Sequence, residues 1–201
     1  MAKQRKVIIA GAVGDIVGVL QFPDEAPLGI AVVAHPLPIM GGTMDNKVVT
    51  TLAKAFLELG YATLRFNFRG VGESAGSYDD GDGETLDAIA AANFMRSEFP
   101  GLPLLLAGFS FGGYVQALAA DMIHPQQLVL IAPAVGRFEM PDVPVDTLLI
   151  HGDMDEVVEL HELLEWARPQ QLPVIVLTGA EHFFHGRLMQ LKKIVIQQLA
   201  R

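Results

Sequence analysis

Leu104-Leu105-Leu106-Ala107-Gly108-Phe109-Ser110-Phe111-Gly112-Gly113-Tyr114 carries the strongest signal in the chain. An apolar run of strand length enters it, a serine stands between glycines at its tip, and a helical pattern leaves it. That is the layout of a nucleophile elbow, a tight strand-to-helix turn that exposes the serine hydroxyl. Glycines two before and two after the serine suit a strained turn whose flanking backbones pass close together. A second Gly-x-Ser-x-Gly match, Gly72-Glu73-Ser74-Ala75-Gly76, lies in mid-loop with neither element beside it. Context therefore selects Ser110 over Ser74.

Outward from the elbow, short apolar runs alternate with helical patterns. Strands are expected at 7–10, 16–22, 29–34, 62–66, 128–131, 148–151 and 174–177, besides the elbow strand. Helices are expected from about 45 to 59, at 84–99, from 111 to about 123, at 160–167 and at 188–199. The first two strands, joined by a turn over 11–15, read as a hairpin at a sheet edge. The run 29–34 is continuously apolar, as a strand buried on both faces must be. The pattern predicts a mostly parallel α/β sheet with helices on both faces, a single domain over 1–201. The connector from 132 to 146 is too short to hold a large lid. The loop from 67 to 83 is long, and loops of that length in compact domains usually serve function or move.

Composition sets outer bounds. The 201 residues can bury a sizeable core, and 51% hydrophobic against 18% charged residues excludes disorder. A formal net charge of -9 argues against a nucleic-acid partner. The chain has no cysteine, which removes disulfides, thiolate metal sites and a cysteine nucleophile, and fits a cytoplasmic location. Lys3 to Lys6 before the apolar 7–13 faintly suggests a signal peptide, but Asp15 stops the run and a strand reads better. No run of 18 apolar residues occurs, so no membrane span is expected. The acidic stretch 77–84 lacks the twelfth-position glutamate of a calcium loop and reads as solvated, so no metal is expected.

A serine hydroxyl needs a base to take its proton. Of six histidines, His182 follows the last strand directly, in Gly179-Ala180-Glu181-His182-Phe183-Phe184; His185, three residues on, is the alternative. The orienting acid belongs on the loop after strand 148–151, where Asp155 is preferred and Asp153 reads as a turn residue. For the oxyanion, one donor is the N–H of Phe111. The second should come from His35-Pro36-Leu37-Pro38, where the prolines have no N–H to give and Leu37 remains by elimination.

Together these stretches, with Gly41-Gly42 and Arg65-Phe66-Asn67-Phe68-Arg69-Gly70-Val71-Gly72-Glu73-Ser74, span residues 35 to 184 in a set order. In that order they resemble the α/β-hydrolase superfamily, most closely its small lidless bacterial members related to carboxylesterases and dienelactone hydrolases. The resemblance implies a triad of Ser110, Asp155 and His182, an oxyanion hole at Leu37 and Phe111, and Arg-Gly-x-Gly-x-Ser as a site-wall loop. It departs where His35 is followed by proline rather than glycine, and where serine replaces the cysteine of dienelactone hydrolase. The expectation is a cofactor-free serine hydrolase acting on small-molecule esters through an acyl-enzyme, with no nucleic acid or membrane partner. Oligomeric state stays open, a homo-oligomer included. Two rivals remain: a peptidase or amidase on the same triad, and a non-catalytic α/β binding module.

Overall fold

The computed structural model describes residues 3–200. The chain builds β1 (Lys3–Gly11), β2 (Gly14–Phe22), β3 (Gly29–Ala34), α1 (Lys47–Glu58), β4 (Tyr61–Phe66) and α2 (Asp82–Glu98). It continues through β5 (Leu104–Phe109), α3 (Phe111–Ile123), β6 (Gln127–Ile131), β7 (Leu148–Gly152), α4 (Leu160–Ala167), β8 (Val174–Leu177) and α5 (Leu188–Leu199). One eight-stranded sheet results, in the order β1-β2-β4-β3-β5-β6-β7-β8. β1 and β2 pair antiparallel, β2 joins β4 antiparallel, and β3 to β8 run parallel. This is the α/β architecture the sequence predicts.

Alternation along the central strands divides the core into two layers. Ile30, Val32, Leu104 and Leu106 point to the face covered by α2, α3 and α4. Ala31, Val33, Leu105, Ala107 and Phe109 point to the face covered by α1 and α5. After β4 the chain steps back past β3 to lay down β5, so the direction of winding reverses between β3 and β5. At such a reversal the loops leaving the two strands diverge and open a crevice at the carboxyl edge. Ala34 pairs with Gly108 in register, which brings the ends of β3 and β5 level at that crevice.

Several boundaries move for local reasons. The hairpin turn is only Ala12-Val13, because β1 extends to Gly11 and pairs it with Gly14. β1 also takes in Lys3, Arg5 and Lys6, whose exposed charges suit an edge strand. α1 starts at Lys47, where the Asn46 side chain accepts the Val48 N–H at 2.8 Å. α2 starts at Asp82 because Glu84 accepts the N–H groups of Asp79 at 3.0 Å and Gly81 at 2.9 Å. A 3-10 turn at Pro38–Met40, opened by its proline, was absent from the sequence reading. The β6–β7 connector contains no helix or strand, so no lid domain is inserted there.

Ser74 is a structural residue. Its hydroxyl donates to the Asn67 carbonyl at 2.9 Å and accepts the Val17 N–H at 3.0 Å, tying the loop after β4 to the hairpin. Ser74→Ala leaves both groups buried without a partner, at a cost of about 1–3 kcal/mol. Denaturant unfolding should show that loss, and an unchanged midpoint would contradict this role.

Candidate active site

Ser110 sits between β5 and α3 with φ 55° and ψ -119°, a conformation that side-chain-bearing residues avoid. Holding it there costs on the order of 1–3 kcal/mol, supplied by surrounding contacts. The Ser110 N–H donates to the Ile131 carbonyl at 2.9 Å, and its carbonyl accepts the Gly113 N–H at 2.8 Å. The flanking glycines are steric requirements. A Cβ on Gly108 would meet the Gly112 carbonyl oxygen at 2.1 Å, and one on Gly112 would meet that of Ala34 at 2.5 Å. The elbow therefore packs backbone on backbone, against itself and against the end of β3.

His182 follows β8 and reaches back to the elbow. Its Nε2 lies 3.1 Å from Ser110 Oγ and its Nδ1 lies 2.7 Å from Asp155 Oδ2. These partners dictate the tautomer: Nδ1–H donates to the carboxylate, and Nε2 is free to accept the serine proton. The ring is held between Phe109, with centroids 4.9 Å apart, and Phe183, edge-on at 5.1 Å. Asp155 Oδ1 accepts the N–H groups of Val157 and Val158, both at 2.9 Å. Burial works to raise the Asp155 pKa, but the His182 hydrogen bond, the two backbone donors and the imidazole's charge hold it below the ordinary carboxylate value. Ser110, His182 and Asp155 are all buried and mutually connected. The alternatives lie apart. His185 is exposed and faces Glu181 at 3.4 Å, while Asp153, expected to serve its own turn, instead accepts the Gly179 N–H at 2.5 Å and ties the loop after β7 to the loop after β8.

The N–H of Phe111, first residue of α3, has no intrahelical acceptor. The N–H of Leu37 likewise has no acceptor among the described residues. A group whose importance the sequence reading missed is His35, fully buried beside the elbow. Its Nδ1–H donates to the Pro36 carbonyl at 2.7 Å, and its Nε2 accepts the Phe68 N–H at 3.1 Å. Pro36 C=O and Leu37 N–H belong to one peptide plane and point in opposite directions. Holding the carbonyl on the histidine thus turns the Leu37 N–H away from it. A second missed residue is His151, whose Nε2–H donates to the Val158 carbonyl at 2.9 Å and anchors the loop that carries Asp155. His35 directly follows β3 and His151 is next to last in β7, and a place at a strand-to-loop junction is their only sequence signal.

Comparison with known proteins places this geometry in a family. Residues 34–142 match the family model described as serine aminopeptidase, S33. The chain belongs to the α/β-hydrolase superfamily. A lidless α/β serine hydrolase from Xanthomonas campestris is 41% identical, with 99% of this chain and 94% of that one covered and a TM-score of 0.95. An α/β serine hydrolase homologue from Coxiella burnetii is 40% identical over 97% of each chain, with a TM-score of 0.89. An uncharacterized protein of Rickettsia prowazekii is 34% identical, covering 83% of this chain and 76% of that one. The hydrolase fold is thus shared along nearly the whole length. Among the described residues, no helix is long and apolar enough to cross a membrane.

The buried histidines predict acid sensitivity. Burial pushes His35 down to about 4, only partly opposed by its bond to Pro36, and protonating Nε2 would set it against the Phe68 N–H. An unfolded chain takes up that proton near pH 6.5, so stability is fully present above 6.5 and is lost as pH falls toward 4. The loss from His35 is about 3 kcal/mol. Burial lowers His151 in the same sense. Asp155, also held low, contributes stability that is fully present above the ordinary carboxylate pKa and is lost as the pH falls from there through its lower folded value. Thermal melts of His35→Asn should lose less stability between pH 6.5 and 4 than the native chain; identical losses would contradict this origin.

Proposed function

We propose that the protein is a serine hydrolase acting on small carboxylic esters through an acyl-enzyme on Ser110, with Asp155 and His182 completing a triad. One observation carries the reading: His182 bridges Ser110 at 3.1 Å and Asp155 at 2.7 Å, with Ser110 on a strained elbow. His182 Nε2 takes the hydroxyl proton as Oγ attacks the ester carbonyl. Asp155 fixes the tautomer and stabilises the imidazolium. The N–H groups of Phe111 and Leu37 receive the charge that develops on the carbonyl oxygen. His182 returns the proton to the departing alkoxide, and the ester C–O bond breaks. A water deprotonated by His182 then attacks the acyl carbonyl, and Ser110 leaves as the acid is released. The site residues, the ester preference and a cytoplasmic setting all belong to this proposal.

A second reading, amide cleavage, is favoured by the family description, serine aminopeptidase. It uses the same triad, with the proton from His182 going to an amine. Matched nitrophenyl ester and nitroanilide substrates separate the two, the ester reading requiring turnover of the ester and little of the anilide.

Ser110→Ala and His182→Ala should each lower kcat for short nitrophenyl esters by about 10⁴-fold or more, with KM little changed. Because the residues act as one unit, the double variant should be no worse than either single one. Undiminished turnover in Ser110→Ala would remove the assignment.

A further inference from the structure

We propose that the aromatic wall beside Ser110 binds a positively charged group, so that the site takes esters carrying an ammonium. This deepens the ester-hydrolase reading and rests on it.

The wall begins one residue from the nucleophile. Phe111 is buried, and Tyr78, Tyr114 and Phe138 pack around it half-buried, with ring centroids 5.8, 6.1 and 5.2 Å from its own. Tyr114 and Phe138 stack at 4.8 Å. Three exposed carboxylates, Asp80, Asp82 and Glu139, border these rings, and among the described residues none of the three has a lysine, arginine or histidine partner. Burial first, then the charge and hydrogen bond of Asp80 and the charge of Glu84, push the Tyr78 phenol up to about 12. Tyr114 is raised by burial, then by Asp82 and Glu139. The negative potential of these carboxylates, which adds to burial in raising both phenols, attracts a cation to the exposed parts of the rings. An aromatic face rimmed by unpaired carboxylates is the chemistry that binds ammonium groups.

The wider charge distribution points the same way. Five segments gather at the carboxyl edge of the sheet: 35–46, 67–84, 132–139, 153–159 and 178–187. They hold twelve acids and three arginines, a formal -9 that equals the charge of the whole chain. The rest of the sequence carries eleven acids and eleven bases and cancels. With Lys6, Lys47 and Arg65 counted at this edge, it still carries -6. The molecule's charge is concentrated at the sheet edge that carries Ser110. Such a field raises the local concentration of cations and excludes anions, by 10-fold or more in encounter rate at low salt.

The test compares a quaternary-ammonium ester with its uncharged carbon isostere, once with the charge on the alcohol side and once on the acyl side. In at least one pair the charged ester should show about 10-fold higher kcat/KM at low ionic strength. That ratio should fall severalfold in 0.5 M salt, where screening shortens the reach of the field to a few ångströms. In the triple variant Asp80→Asn, Asp82→Asn, Glu139→Gln the ratio should fall at least threefold while turnover of the uncharged ester stays unchanged. Equal kcat/KM within both pairs, or a ratio untouched by the triple variant, overturns the proposal. If no ester is turned over, the ester reading fails and tetramethylammonium alone decides the charge question by NMR. Saturable shifts at Tyr78 and Phe138 that the triple variant abolishes support the site, and their absence refutes it.

Discussion

Backbone meets backbone where β5 turns into α3, and the rest of the site depends on that contact. Gly108 and Gly112 allow the turn to close to a separation that any side chain would forbid. Closing it forces Ser110 to a φ of 55° and lifts its hydroxyl out of the sheet edge. The same closeness presses α3 against the end of β3, so the His35–Pro38 segment lies beside Ser110 rather than across an open gap. The strain at Ser110 is offset by the sheet beneath it, through its hydrogen bond to Ile131 and the pairing of Ala34 with Gly108. A flatter turn would relieve the serine and lose the alignment with His182.

Around that elbow, three histidines occupy two electrostatic settings. His182 has a carboxylate on one nitrogen and a hydroxyl on the other, the arrangement that lets a base accept and return a proton. His35 and His151 are buried with their donors spent on backbone carbonyls, and burial keeps both neutral. Their task is geometric: one holds the Pro36–Leu37 peptide, the other the Asp155 loop. Neutral rings are what those tasks need, since a charged His35 could no longer accept the Phe68 N–H.

Much of this was legible in the residues, and the physical reason is locality. The elbow declares itself through a strand, two glycines and a helix that are contiguous in sequence. Asp155 and His182 declare themselves through their place directly after strands, because parallel α/β order sends every such loop to one edge. Ser74 could be set aside on the same ground, and its hydroxyl is occupied by Val17 and Asn67. What could not be read were side-chain contacts that no place after a strand announces. His35 owes its role to Phe68, 33 residues away, and no local pattern announces that pairing. The early start of α2 depends on a glutamate reaching back to Asp79 and Gly81, where spacing alone placed the helix at Glu84 itself. The concentration of charge at one edge appears only once the topology has gathered five separate loops.

The proposed chemistry turns on activation of Ser110 by His182. Reaction with a fluorophosphonate, mapped by peptide mass, tests it most directly, because such reagents label only a serine whose proton is being withdrawn. One adduct is expected, on the peptide containing Ser110, with labelling slowed by orders of magnitude in His182→Ala. Labelling at another residue, or at Ser110 with an undiminished rate in His182→Ala, would contradict it.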